Sequence, residues 1–225
     1  ADGWAITGDA GVFLDPFYSP GSDFIALNNS FITDLIVKQQ TGAEISERTL
    51  QHEKLFRTLF LAFSPVYEDQ YSIMGNAKVM SIKIIWDYTL YWSGVALLFF
   101  RNKFCDVAFM QTASTSLQKI YHTNLQMQQF LRHWAAVDES SATKCDIFIN
   151  YSEISFLQQL NKELLTELSD AELENKLALN IELVDALSNE IYAEACAVFS
   201  GLEKYAPEIK RVDSVYLKDV FREFS

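Results

Sequence analysis

Gly8-Asp9-Ala10, then Asp15-Pro16, then Ser19-Pro20-Gly21-Ser22, is the stretch of this sequence whose residue types could hold a ligand. The apolar run Trp4 to Thr7 reads as a strand that carries Asp9 to the carboxyl end of a sheet, where α/β folds bind ligands. A carboxylate there accepts hydrogen bonds from sugar-like hydroxyls. Gly8 and Gly11 let backbone approach a ligand closely. Two prolines and a glycine make residues 15–22 a loop. Ser22 or Asp23 is the expected N-cap of the next helix. The free N–H groups and positive dipole end near Gly21 and Ser22 then favour an electron-rich or anionic group.

Other chemistry-bearing residues give weaker signals. His52, His122 and His133 lie too far apart for a metal site, and no His-x-x-x-His occurs. Ser19 has no G-x-S-x-G elbow, which argues against a hydrolase. Cys105, Cys145 and Cys196 are odd in number and form no C-x-x-C pair, so buried thiols in a reducing, cytoplasmic setting are expected. Glu163, Glu167, Asp170, Glu172 and Glu174 read as a solvated helix face. Trp86, Tyr88, Tyr91 and Trp92 form a dense aromatic cluster, which core packing explains and which could also meet an aromatic ligand.

The elements that position these residues are mostly helical. Phe24 to Lys38 reads as a helix ended by Thr41-Gly42. A second begins at Ser46, carries an apolar stripe of Leu55, Phe56, Leu59, Phe60 and Phe63, and should end or kink at Pro65. Lys78 to Asn102 reads as one very apolar helix. Val107, Met110, Leu117, Tyr121, Leu131 and Trp134 mark another. Asp138 to Thr143 is polar and loop-like. Ser169 and Glu172 form a capping box, after which Leu173, Leu177, Ile181, Val184, Leu187, Ile191, Ala195, Val198 and Leu202 trace one face of a long helix. Pro207 lies past its end.

Composition narrows the function classes. With 49% hydrophobic residues and 14% aromatics, the 225-residue chain has ample material for a core. Its net charge of -12 argues against nucleic acid and against an anionic membrane surface. Ile84 to Phe100 is apolar, but it holds Asp87 and falls short of the roughly 20 residues of a membrane span, so a buried core helix is expected.

Taken together, Gly8-Asp9-Ala10, Asp15-Pro16 and Ser19-Pro20-Gly21 resemble the second flavin-binding motif of FAD-dependent hydroxylases and halogenases. The run Phe13-Leu14-Asp15-Pro16 to Ser19 is most similar to the tryptophan-halogenase-like branch. The resemblance covers roughly the first 40 residues, where several spaced elements coincide. It implies a mainly α chain: the helical C-terminal region of an α/β FAD-dependent oxidoreductase, over residues 43–225, preceded by the last strand–loop–helix of its FAD-binding domain, over residues 1–42. It also implies that Asp9 contacts the ribityl chain, with Gly8 and Ala10 shaping the turn. Pro16 would lie near the flavin ring, and Gly21 and Ser22 would offer N–H groups to the ring's pyrimidine edge.

The same branch usually carries Ser-Thr-Gly where this chain has Ser19-Pro20-Gly21, and amides of that triplet help hold halide. Pro20 has no N–H and biases Ser19 toward an extended conformation, so halide binding by Ser19, Pro20 and Gly21 is weakened. The G-x-G-x-x-G fingerprint and the family's catalytic lysine find no match here, and Lys38, Lys54, Lys78 and Lys83 sit in no matching context. The chain opens Ala-Asp-Gly-Trp, which reads as a start inside a larger protein. The expected partners are therefore an upstream FAD-binding segment, a flavin reductant, and a small-molecule or carrier-bound organic substrate oxidised with dioxygen. Two alternatives stand beside the halogenase reading: a flavin-dependent hydroxylase or reductase without halide, and a non-catalytic helical interaction module.

Overall fold

The computed structural model describes residues 3–138, 149–207 and 215–224; among these it holds eight α-helices and no strand. Helix α1 (Pro20–Gln40) starts earlier than Ser22 or Asp23, the caps expected from sequence. Pro20 occupies its first turn, where the fixed φ favours a helix and the missing N–H costs nothing. Ser19 is therefore the N-cap, with φ 57° and ψ 44°, left-handed rather than extended. That conformation also avoids the αR region that a following proline disfavours. Tyr18 is left-handed as well, with φ 65°, and two such residues in a row reverse the chain sharply. The far end of α1 closes as expected: Gly42 takes φ 83°, its N–H donates to Gln39 O at 3.0 Å, and Ala43 N–H donates to Lys38 O at 3.1 Å.

The expected strand at Trp4–Thr7 is irregular chain instead. A strand exists only as part of a ladder, and no described segment pairs with this one. The Ile6 carbonyl accepts from the Asn28 side chain of α1 at 2.6 Å. Gly8–Ala10 then forms a single 3₁₀ turn whose Gly8 carbonyl accepts from Gly11 N–H at 2.8 Å.

Helix α2 (Ser46–Phe63) ends where expected, passing into a 3₁₀ turn (Ser64–Val66) at Pro65. The apolar stretch from Lys78 is divided, not one continuous α-helix. Asn76 caps α3 (Ala77–Leu90) by accepting from Val79 N–H at 2.9 Å, a π-helical segment (Tyr91–Val95) follows, and α4 (Ala96–Phe99) completes it. No helix of the described residues is long and apolar enough to cross a membrane. Helix α5 (Val107–Val137) is capped by Asp106, which accepts from Phe109 N–H at 3.1 Å. The expected loop at Asp138–Thr143 lies outside the described residues except for Asp138, and Cys145 lies outside them altogether.

A short helix α6 (Ser155–Glu163), which the sequence reading did not separate, buries Leu157 and Leu160. Helix α7 (Asp170–Val198) carries the full capping box at Ser169 and Glu172. Its expected stripe holds through Ala195, but Val198 is exposed and Leu202 is buried beyond the helix end. The short α8 (Lys218–Arg222) is held by the preceding backbone: Tyr216 and Leu217 N–H donate to the buried carboxylate of Glu190 on α7, at 2.9 and 3.0 Å. One core joins α3, the second half of α5, α7 and α8 around Trp86, Phe130, Trp134, Leu187 and Tyr192. The other joins α1, α2, α4 and the first halves of α5 and α7 around Phe24, Leu27, Leu59, Leu97 and Leu173.

Candidate functional site

The second core is not closed. Between α2 and α5 lies a cavity of 630 Å³. From α2 it is walled by Leu55, Leu59 and Phe63, and from α5 by Met110, Leu117 and Ile120. Met110, Leu117 and Tyr121 have the spacing of a core stripe, but they border this space. Exposed Thr58, Leu61, Ser114 and Gln118 form its rim. The π-helical segment supplies Tyr91, Gly94 and Val95 to the wall. Such segments recur at functional sites because the extra residue re-aims side chains. A volume of this size, lined mainly by apolar side chains with a few polar ones, has the character of a small-molecule pocket.

Two polar groups meet the cavity in different ways. At the first, Asp87 Oδ2 accepts from Lys83 Nζ at 2.7 Å and from Tyr18 Oη at 3.0 Å, while Oδ1 accepts from Gln128 Nε2 at 2.6 Å. Lys83 Nζ also donates to Gln128 Oε1 at 2.8 Å and Val66 O at 3.0 Å, so its three protons are used. Burial pushes the Asp87 carboxyl up and the Lys83 ammonium down, and their mutual attraction opposes both shifts. At the second, Asp23 in the first turn of α1 accepts from Tyr91 Oη at 2.9 Å through Oδ1 alone. Burial raises its pKa, with the Tyr91 hydrogen bond acting against the shift. Next to them, Asn124 uses its Oδ1 twice, from Trp86 Nε1 and from Gln128 Nε2, each at 3.1 Å. The indole N–H can only donate, which fixes the amide orientation and leaves Asn124 Nδ2 at the cavity wall with no partner among the described residues.

The sequence-derived site residues group at the N-terminus of α1. Asp9 Oδ1 lies 3.5 Å from the point where a side chain on Gly21 would begin, so the Gly8–Ala10 turn and the start of α1 are neighbours. Asp9, Ala10, Pro16, Ser19 and Ser22 are exposed, Gly8 and Gly21 are half-buried, and Pro20 is buried. The Ser22 N–H donates to Ser19 O at 3.2 Å, while the Gly21 N–H takes no backbone partner. Asp15 caps its own loop, accepting from Phe17 N–H at 2.9 Å and from the Tyr71 hydroxyl. A flavin edge could therefore meet the Gly21 N–H and the dipole of a 21-residue helix, and the Asp9 carboxylate stands beside them.

Tyr18 and Asp23 belong to the same short loop and helix turn, and both line the cavity. The sequence assigns Asp23 only the role of a helix cap and Tyr18 none. Their signal was present, since both flank the Ser19-Pro20-Gly21 triplet, but the side a loop residue faces depends on its backbone conformation. Of the aromatic cluster, Tyr88 and Tyr91 line the cavity, Trp86 is fully buried, and Trp92 stacks on Tyr88 with centroids 5.1 Å apart.

The acidic residues do not share one helix face: Glu163 ends α6 half-buried, Glu167 lies in the connection, and Asp170, Glu172 and Glu174 are exposed on α7. The histidines follow their plain reading. His52 is buried against Phe31 and pairs with Asp34 at 2.7 Å, while His133 stacks on Tyr205. Asp34 also receives Arg48. Burial alone would raise its carboxyl, but Arg48 and His52 hold it below the usual range. Asp170 pairs with Lys103 at 2.7 Å and Glu163 pairs with Lys176. No group of described residues is arranged to hold a metal ion.

No protein-family model matches the chain, and no solved structure matches it. Among curated proteins it is similar to the flavin-dependent halogenase chlA of Dictyostelium discoideum, at 29% identity over 92 residues. That match spans 40% of this chain and 15% of the relative's length. The likeness is to a halogenase-like flavoenzyme, over a small part of one.

Proposed function

We propose that this chain is the C-terminal part of an FAD-dependent oxidoreductase, with residues 1–42 completing an FAD-binding domain and residues 43–225 forming the helical region beside the substrate. The observation that carries this reading is the position of one loop. Residues 8–22 bear the flavin-motif resemblance, and Tyr18 within that stretch and Asp23 next after it form part of the cavity wall. A cofactor held on the outer side of the loop would thus stand next to a pocket on its inner side.

In that arrangement Asp9 accepts from the ribityl hydroxyls, and Gly21 presents its N–H to the ring. Bound FAD would supply the redox chemistry with dioxygen, while this chain orients the flavin and keeps water from an organic substrate. An upstream segment supplies the pyrophosphate cradle, and a separate reductant supplies electrons. Within this class we favour oxidation without halide. Pro20 gives no N–H, and the Ser22 N–H is already taken by Ser19, so few donors converge on an anion at Ser19-Pro20-Gly21.

The test is an FAD titration of the longer protein that carries the upstream segment. Asp9→Ala should weaken FAD binding by about 1–3 kcal/mol through loss of an acceptor. Unchanged affinity would remove Asp9 from the flavin site. Product analysis with reduced flavin, dioxygen and bromide then separates the two chemistries, and efficient bromide incorporation would overturn the halide-free reading.

A further inference from the structure

We infer that the cavity between α2 and α5 takes an uncharged, largely apolar molecule bearing a hydroxyl, anchored by Asp23 and Asn124, and that it rejects carboxylates and phosphates. The inference rests on the pocket assignment above and names its ligand class.

The cavity wall keeps few unused polar groups. Both oxygens of Asp87 are engaged by Lys83, Gln128 and Tyr18, and Lys83 has no proton to spare. No free cation remains among the described cavity residues to pair with an acid. Asp23 Oδ2 has no partner among the described residues, so it calls for a donor. Asn124 Nδ2 is likewise without a partner, and Asn124 is only 5% exposed, so it calls for an acceptor. The Tyr67 hydroxyl, also on the wall and without a hydrogen bond to described residues, can do either.

A buried polar group left unmet costs free energy, so a well-fitting ligand both donates and accepts. A hydroxyl does both. A carboxylate only accepts and is repelled by Asp23. An ammonium only donates and leaves Asn124 facing another donor. The remaining wall of Leu55, Leu59, Phe63, Met110 and Leu117 suits an apolar body.

Equilibrium dialysis of the 225-residue chain tests this with four probes sharing one ring system: 2-naphthol, naphthalene, 2-naphthoate and 2-naphthylmethylammonium. The expected order places 2-naphthol first, about tenfold tighter than naphthalene, as one hydrogen bond to a charged acceptor provides, and 2-naphthoate last. Asp23→Asn keeps an acceptor for Tyr91 and should erase most of that tenfold preference of 2-naphthol over naphthalene. Ser114→Trp, at the exposed rim, should block every probe without lowering the unfolding temperature. The inference is overturned if 2-naphthoate or the ammonium binds as tightly as 2-naphthol, if 2-naphthol does not bind, or if its preference survives Asp23→Asn. The ranking on the unaltered chain does not depend on how a variant folds. None of these measurements involves flavin, so a failed FAD titration and a failed probe ranking are separate results.

Discussion

Asp87 and Asp23 are aspartates on the wall of one cavity, and their surroundings differ. Asp87 sits beneath the cavity with Lys83 and Tyr18 on one oxygen and Gln128 on the other, so both oxygens are engaged. Asp23 has one hydrogen bond, from Tyr91, and an oxygen to spare. The first arrangement ties α3, α5 and the Tyr18 loop together. The second keeps a polar group partly unmet in an apolar space, which costs stability and is useful only when something enters. Proteins commonly accept that cost at sites where ligands bind.

The sharpest way to break the comparison is to remove the cation beside Asp87. Lys83→Met should cost about 3–5 kcal/mol in urea unfolding at neutral pH, because it leaves a buried carboxylate uncompensated. The double change Lys83→Met with Asp87→Asn should recover much of that loss. A mild effect of Lys83→Met alone would mean that the network is not a structural tie.

A smaller contrast separates the closed core from the cavity rim. Leu187 is fully buried in the core of α3, α5 and α7, and Leu61 at the rim is 63% exposed. Leu187→Ala should cost about 2–5 kcal/mol, while Leu61→Ala should change stability by no more than about 0.5 kcal/mol. Equal losses would show that the rim is packed as tightly as the core.

The smallest expected effect is a gain. Burial holds the Asp23 carboxyl above its unfolded pKa. A carboxyl shifted that way favours the folded state when protonated, and the benefit is lost as pH rises through the folded value. At neutral pH the carboxylate is therefore a cost. Asp23→Asn should raise the unfolding temperature by on the order of 1–2 °C at pH 7, and the difference should fade on acidification toward the ordinary carboxylate range. A loss of stability that is the same at every pH would make Asp23 a structural residue.

The sequence made some of these features legible. Thr41-Gly42, Pro65 and the Ser169–Glu172 box set helix limits through chemistry within a few residues, and the structure has them there. The Lys83–Asp87 pair was also readable, as opposite charges one turn apart in an otherwise apolar helix, though the sequence reading passed it by. The start of α1 differs because a proline at the first helical position outweighed the side-chain caps Ser22 and Asp23, two and three residues later. The π-helical segment could not be read, since α and π turns share the same apolar pattern.

What the sequence determined by itself was mainly local: a helical chain, most of its helix ends, and a segment at residues 8–22 with the residue types of a flavin motif. Capping, proline geometry and apolar spacing act over one or two turns, so residue order suffices to state them. The tertiary structure decided which aspartate was satisfied and where the space lay. Asp87 meets Gln128 across 41 residues and Asp23 meets Tyr91 across 68. A stripe such as Met110, Leu117 and Tyr121 looks the same whether the facing helix fills the gap or leaves it open. Only the distance between α2 and α5 settles that, and it depends on the whole packing of the chain.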